Sequence, residues 1–217
     1  MSTNSPEKNT LCSSVRQYIV SKILDGTLKE GDKVNESKLC SELNLSRSPV
    51  REGIRELIAD DILVNENFKG TRIGQFNDKE LSELNSLRIL LEQLAVDYSV
   101  PRMTEKTRSE FMKIVNKMKI AEEKNDNDLL VELDMDFHYH LILQSNSNVI
   151  ISTWKRIYTK LHILMAMRLK WRTPQRQYDN HLYLVSYYSS ENIHLFKEML
   201  MAHEHMRYYS DTAHTNQ

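Results

Sequence analysis

The sequence predicts a mainly α protein in two parts, first three helices with a small β-hairpin and then an all-helical bundle. Three observations carry this prediction. Only five Gly and four Pro interrupt 217 residues, so few positions break a helix. Apolar residues recur at three- and four-residue spacing along most of the chain, as a buried helix face requires. Only between Ile62 and Ile73 does the pattern shorten toward two, the period of a strand.

Residues 1–10 are polar and aperiodic and read as a mobile tail. From Leu11 a stripe of Val15, Ile19, Ile23 and Leu24 predicts a helix that stops at Asp25-Gly26. After a turn over residues 28–33, Asn35 can cap a short helix that buries Leu39 and Leu43. Asn44-Leu45-Ser46 closes that helix. Ser48 is expected to cap the third, with Pro49 at the first helical position, where a missing amide proton costs nothing, and Val50, Ile54, Leu57 and Ile58 form its core face. Residues 62–64 and 70–73 then read as two short strands around a turn. Beyond a linker at residues 74–78, helices are expected near 79–99, 104–123, 126–145, 147–170, 174–189 and 191–209. Pro101, Asn125, Asn146 and Ser189-Ser190 separate them. The expected domains are therefore 11–76 and 77–217.

The 29 Lys+Arg and 30 Asp+Glu leave a net charge of -1, which neither demands nor excludes nucleic acid, because binding depends on where the charge sits. No apolar run approaches the ~20 residues that cross a bilayer, and residues 1–10 do not resemble a secretory leader. Membrane insertion and export are not expected. Cys12 and Cys40 make no metal or redox spacing, which suits a reducing cytoplasm.

Two short helices joined by a tight turn are what a helix-turn-helix needs to place its second helix in a major groove. Arg51 and Arg55 share a face of that helix, and Arg47 stands at its start, within reach of a phosphate or a guanine edge. Lys69, Gly70 and Arg72, at or near the hairpin tip, could form a wing. Glu52 and Glu56 alternate with the arginines, so periodicity alone equally allows a solvated, salt-bridged face. The order of parts separates the two readings. Val34-Asn35-Glu36-Ser37-Lys38-Leu39, then Leu43-Asn44-Leu45-Ser46-Arg47-Ser48-Pro49-Val50-Arg51-Glu52, then Lys69-Gly70-Thr71, closely resembles the winged helix-turn-helix of GntR-family bacterial transcription regulators. That resemblance spans residues 11–76 and implies contacts to double-stranded operator DNA. The candidate contacts are Arg47, Ser48, Pro49, Arg51 and Arg55 at the helix and Lys69, Gly70 and Arg72 at the wing. Gly53-Ile54 stands where the family usually has Ala-Leu, and Gly within a helix costs up to ~1 kcal/mol relative to Ala. Ser37 lies where some members place a DNA-contacting Arg.

In the second part, Asp134 and His138 are four apart on one predicted helix face, a spacing from which a carboxylate and an imidazole can reach one cation. Alone, the pair is more simply a surface hydrogen bond. His181 and His203 flank the Ser189-Ser190 break, and antiparallel helices could bring them together. The remaining histidines, 140, 162, 194, 205 and 214, are scattered. Leu87 to Glu92, Asp134-Met135-Asp136-Phe137-His138, Asn148, Asn180-His181 and Met201-Ala202-His203 follow the pattern of the FCD ligand-binding domain over residues 78–209. This second resemblance implies a divalent metal held by Asp134, His138, His181 and His203, with Zn, Ni, Mn and Fe all compatible with the donor set. The family's spacing of 22 between its last two ligands selects His203 over His205. Asn180 replaces the more usual Glu. Arg88 and Asn148 are candidate effector contacts, Arg88 for a carboxylate, although Arg88 could equally pair with Glu92 at i+4.

A metal-dependent hydrolase with a helical accessory domain is the competing reading. His-Glu-x-x-His, Gly-x-Ser-x-Gly and phosphate-binding Gly loops are all missing, which favours a non-enzymatic ligand sensor. Trp154, Trp171 and the later tyrosines read as core and dimer surface. The expectation is a cytoplasmic homodimeric regulator, most simply a repressor, controlled by a small carboxylate metabolite.

Overall fold

A computed structural model of the chain describes residues 6–169, 176–189 and 191–209, with side chains over 11–167, 176–189 and 191–203. Two compact units meet in sequence at Asn77 and Asp78. The first runs α1 (Pro6–Leu24), α2 (Glu36–Leu43), α3 (Arg47–Ala59), β1 (Leu63–Glu66) and β2 (Gly70–Ile73). The strands are antiparallel, with Leu63 opposite Ile73 and Glu66 opposite Gly70.

The capping chemistry expected of α2 is present: the Asn35 side chain accepts from Lys38 N at 3.1 Å. Asn44 ends the helix in the left-handed region at φ 52. Two other helix starts differ from expectation. Helix α1 begins at Pro6, inside the segment read as a tail, with Pro at its first position. Helix α3 begins at Arg47 behind Ser46, so Ser48 does not cap it and Pro49 is its third residue. The first turn of a helix has no internal acceptors for its amides, so Pro at the third position still sacrifices no hydrogen bond.

Val15, Ile19, Ile23, Leu39, Val50, Ile54 and Leu57 form the buried core of this unit with Ile62, Leu63 and Ile73. Gly53 explains its own presence there. A Cβ at that position would stand 2.8 Å from Val15 Cβ, so α1 and α3 approach at a distance that only Gly allows. The segment before α2 braces the hairpin, through Val34 N to Thr71 O at 2.9 Å and Ile73 N to Asp32 O at 2.9 Å.

The second unit is helical throughout its described residues. It comprises α4 (Asp78–Ser99), a 3-10 turn (Val100–Arg102), α5 (Glu105–Glu123), α6 (Asn127–Gln144), α7 (Asn148–Leu169), α8 (Gln177–Tyr187) and α9 (Ile193–Tyr209). Thr104 and Asp126 cap α5 and α6 by accepting from Thr107 N and Leu129 N. Asn125 and Asn146 take left-handed conformations at two of the four breaks read from the sequence. Helix α6 packs against α4, α5 and α7, and α8 joins α5 to α9. Its buried residues, from Leu130 to Ile142, lie on more than one face, as a central helix requires. Trp154 is fully buried. Trp171 lies outside the described residues.

Candidate DNA interface and candidate metal centre

In the first unit Arg47, Ser48, Arg51 and Arg55 are exposed at the start and along the outer face of α3. Pro49 is buried, so it shapes the helix start and offers no surface. Glu56 and Glu36 pair across helices. Glu56 lies 3.5 Å from Arg16 of α1, which also holds Asp60 at 2.6 Å, while Arg51 Nε reaches Glu36 Oε2 of α2 at 2.8 Å. At the hairpin, Gly70 takes φ +81 and Lys69 is exposed, 3.2 Å from Glu66. Arg72 is half-buried and donates to Gly31 O at 2.7 Å, so part of its role is to tie the hairpin to the preceding loop. The sequence reading missed Phe68. It is fully exposed at the tip and holds φ 66, a conformation that is rare for a bulky residue.

In the second unit four donors converge. Helix α6 supplies Asp134 and His138, α8 supplies His181 and α9 supplies His203. One ligand atom from each lies within 4.8 Å of the other three, and all four residues are buried. The geometry centres on Asp134 Oδ1, which lies 3.7 Å from His138 Nε2, 3.1 Å from His181 Nε2 and 3.8 Å from His203 Nε2. The rings meet edge-on at 4.6 Å for His181 and His203, and stack at 5.5 Å for His138 and His203. His181 Nδ1 lies 2.8 Å from Gln177 O, so an Nδ1 proton donated there leaves Nε2 as the inward lone pair. Three imidazoles and one carboxylate that converge in a buried place suit a divalent cation. The residues present therefore fit the group.

Arg88 and Glu92, one turn apart on α4, are also fully buried. Arg88 Nε donates to Glu92 Oε1 at 2.8 Å, Arg88 Nη2 lies 3.6 Å from Asp134 Oδ2, and Glu92 Oε2 lies 2.9 Å from His138 Nδ1. Burial pushes the Glu92 carboxyl up to about 7, and the Arg88 guanidinium works against that rise. Of the two roles open to Arg88, the structure shows the ion pair with Glu92. Asn148 is exposed as the first residue of α7 and is not one of the four converging donors. His140 packs edge-on against Phe111 at 4.7 Å, His162 lies beside Tyr158, and burial holds both below the usual His range. The side chain of His205 lies outside those described.

Comparison with known proteins agrees with both halves. The family described as bacterial regulatory proteins, gntR family, matches residues 11–73, and the FCD domain matches residues 83–206. A probable D-xylose utilization operon transcriptional repressor of Paenarthrobacter nicotinovorans is 26% identical over 212 residues, 96% of this chain and 92% of that protein. The gluconate operon transcriptional repressor of Bacillus licheniformis is 26% identical over 166 residues, 74% of this chain and 68% of that protein. Among solved structures, a putative transcriptional regulator GntR from Rhodococcus sp. RHA1 superposes with TM-score 0.77 at 18% identity. It covers 94% of this chain and 99% of that one, a likeness of fold. With a GntR-type first unit and an FCD domain spanning most of the second, this chain belongs to the GntR family of bacterial transcriptional regulators.

Proposed function

We propose that the protein is an operator-binding repressor that works as a homodimer in the cytoplasm, with DNA affinity set by a small carboxylate metabolite at a metal-containing pocket. The observation that carries the regulated part is the four-donor cluster at Asp134, His138, His181 and His203. A bound divalent ion would supply a Lewis-acidic centre for an anionic ligand, and the three imidazoles and Asp134 would hold it. The two relatives named above are a probable D-xylose utilization operon repressor and a gluconate operon repressor, and gluconate is itself a carboxylate, in keeping with this effector class.

The DNA part rests on the exposed arginines of α3. Arg47, Arg51 and Arg55 would enter a major groove, with Ser48 beside them and the wing at Lys69, Gly70 and Arg72 alongside. Two-fold pairing follows from half-site geometry, since one such unit reads few base pairs. Helix α4 supports pairing: Leu87, Leu90, Leu94 and Tyr98 form one stripe of exposed apolar side chains, 37% to 59% accessible, while its other face is buried. No helix among the described residues is long and apolar enough to cross a membrane.

The test is fluorescence anisotropy with duplex DNA from upstream of the protein's own gene, at physiological salt. Tight, sequence-selective binding is expected, and Arg51→Ala should weaken it by ~1–3 kcal/mol, roughly 10- to 100-fold. Equal affinity for a scrambled duplex overturns the operator reading. Effector control is tested by titrating small carboxylates with and without metal. It calls for a coupling of ~1–3 kcal/mol.

A further inference from the structure

The four candidate ligands have a second layer, and it comes mainly from one turn of α4. Arg88 and Glu92 are both fully buried, joined at 2.8 Å, and each faces one of the two ligands on α6. The Glu92 Oε2 to His138 Nδ1 separation of 2.9 Å puts a carboxylate behind the imidazole, on the side away from the cluster. Arg88 Nη2 lies 3.6 Å from Asp134 Oδ2, and Asp134 Oδ1 is the oxygen that faces the imidazoles.

Burying a Glu and an Arg is expensive unless each is paired, so a pair in this position calls for a reason beyond filling space. An imidazole presents a metal-binding lone pair at Nε2 only when its proton resides on Nδ1, and a carboxylate against Nδ1 secures that arrangement. At His181 the Gln177 carbonyl fills that place, hydrogen-bonded to Nδ1 at 2.8 Å. At His138 the group that faces Nδ1 is Glu92 Oε2, 2.9 Å away.

We propose that Glu92 is a positioning residue for the metal centre: held by Arg88, it fixes the His138 proton on Nδ1 and turns Nε2 inward. The same pair commits Asp134 Oδ2 to Arg88 and leaves Oδ1 as the ligand oxygen. It follows that Arg88 is not available as the clamp for an effector carboxylate, since both of its neighbouring charges are internal. This inference rests on the metal reading above, and the experiment separates the two.

The purified full-length protein, stripped of metal, is titrated with Zn²⁺ alone against a chromophoric chelator, and ¹⁵N spectra of labelled histidine report the His138 tautomer. Wild type should bind one equivalent, with His138 protonated on Nδ1 before metal is added. Glu92→Gln, which keeps an acceptor but can also donate to Nδ1, should weaken metal binding roughly 10- to 100-fold and mix the tautomers. Because Glu92→Leu would leave Arg88 without its nearest carboxylate, the Arg88→Met/Glu92→Leu pair is measured as well. It removes both charges together, and it should keep a cooperative thermal transition while losing metal affinity to the same degree. If wild type takes up no Zn²⁺, the metal reading itself fails. If wild type binds and both variants match it with an unchanged His138 tautomer, Glu92 does not position the ligand.

Discussion

Gly53 shows how a single residue can invert an expectation drawn from propensity. Gly inside a helix is worth up to ~1 kcal/mol less than Ala, so the sequence alone favours Ala there. The structure reverses the sign, because a Cβ on Gly53 would sit 2.8 Å from Val15 Cβ and 3.1 Å from Cys12 O on α1. Both contacts belong to a packed helix that cannot give way cheaply. Gly53→Ala is therefore expected to destabilise the first unit by ~1–3 kcal/mol in a urea titration, the usual range for overpacking. A variant as stable as wild type would show that α1 can move aside. The candidate metal ligands were legible at this scale only in part. The i, i+4 spacing of Asp134 and His138 suggested a shared face, but a surface pair fits the same spacing. Only burial and the arrival of His181 and His203 distinguish the two.

Among the elements, α4 divides its work between two faces. The inner face carries Arg88 and Glu92 to the ligands on α6, and the outer face exposes Leu87, Leu90, Leu94 and Tyr98. Exposed Leu side chains in a row are costly to hydrate, and in the proposed homodimer pairing the stripe with its copy would remove that cost. The double substitution Leu90→Glu/Leu94→Glu should place like charges across the two-fold and yield a monomer in sedimentation velocity, with cooperative unfolding retained. Retention of the dimer would move the interface elsewhere. Element boundaries were legible where capping chemistry is local, as at Asn35, Asn125 and Asn146. They were not legible at Pro6 or Pro49, because Pro is tolerated anywhere in a first turn and does not say which position it takes.

For the whole molecule, a metal at this site would clamp three helices whose ligands lie at 134 and 138, 181, and 203 in sequence. A ligand that binds only the folded chain raises stability by mass action, ~2.7 kcal/mol at 100 times its dissociation constant. Adding Zn²⁺ to metal-free protein should accordingly raise the thermal midpoint. In His181→Ala the increment should vanish while the protein remains folded, with elemental analysis showing the metal gone. An equal increment in that variant would remove His181 from the ligand set.

The sequence by itself determined the mainly α class, the hairpin after three helices and the residue types of both surfaces, because periodicity and capping act over a few neighbouring residues. It also carried the family resemblance, which rests on short runs such as Ser46 to Glu52. Tertiary structure decided which charges are spent internally and which remain available. Arg88 is locked between Glu92 and Asp134, Glu56 turns to Arg16, and Glu36 reaches Arg51, all through partners set by packing. Charge pairing depends on distances across helices, and linear order does not encode those distances until the core has formed.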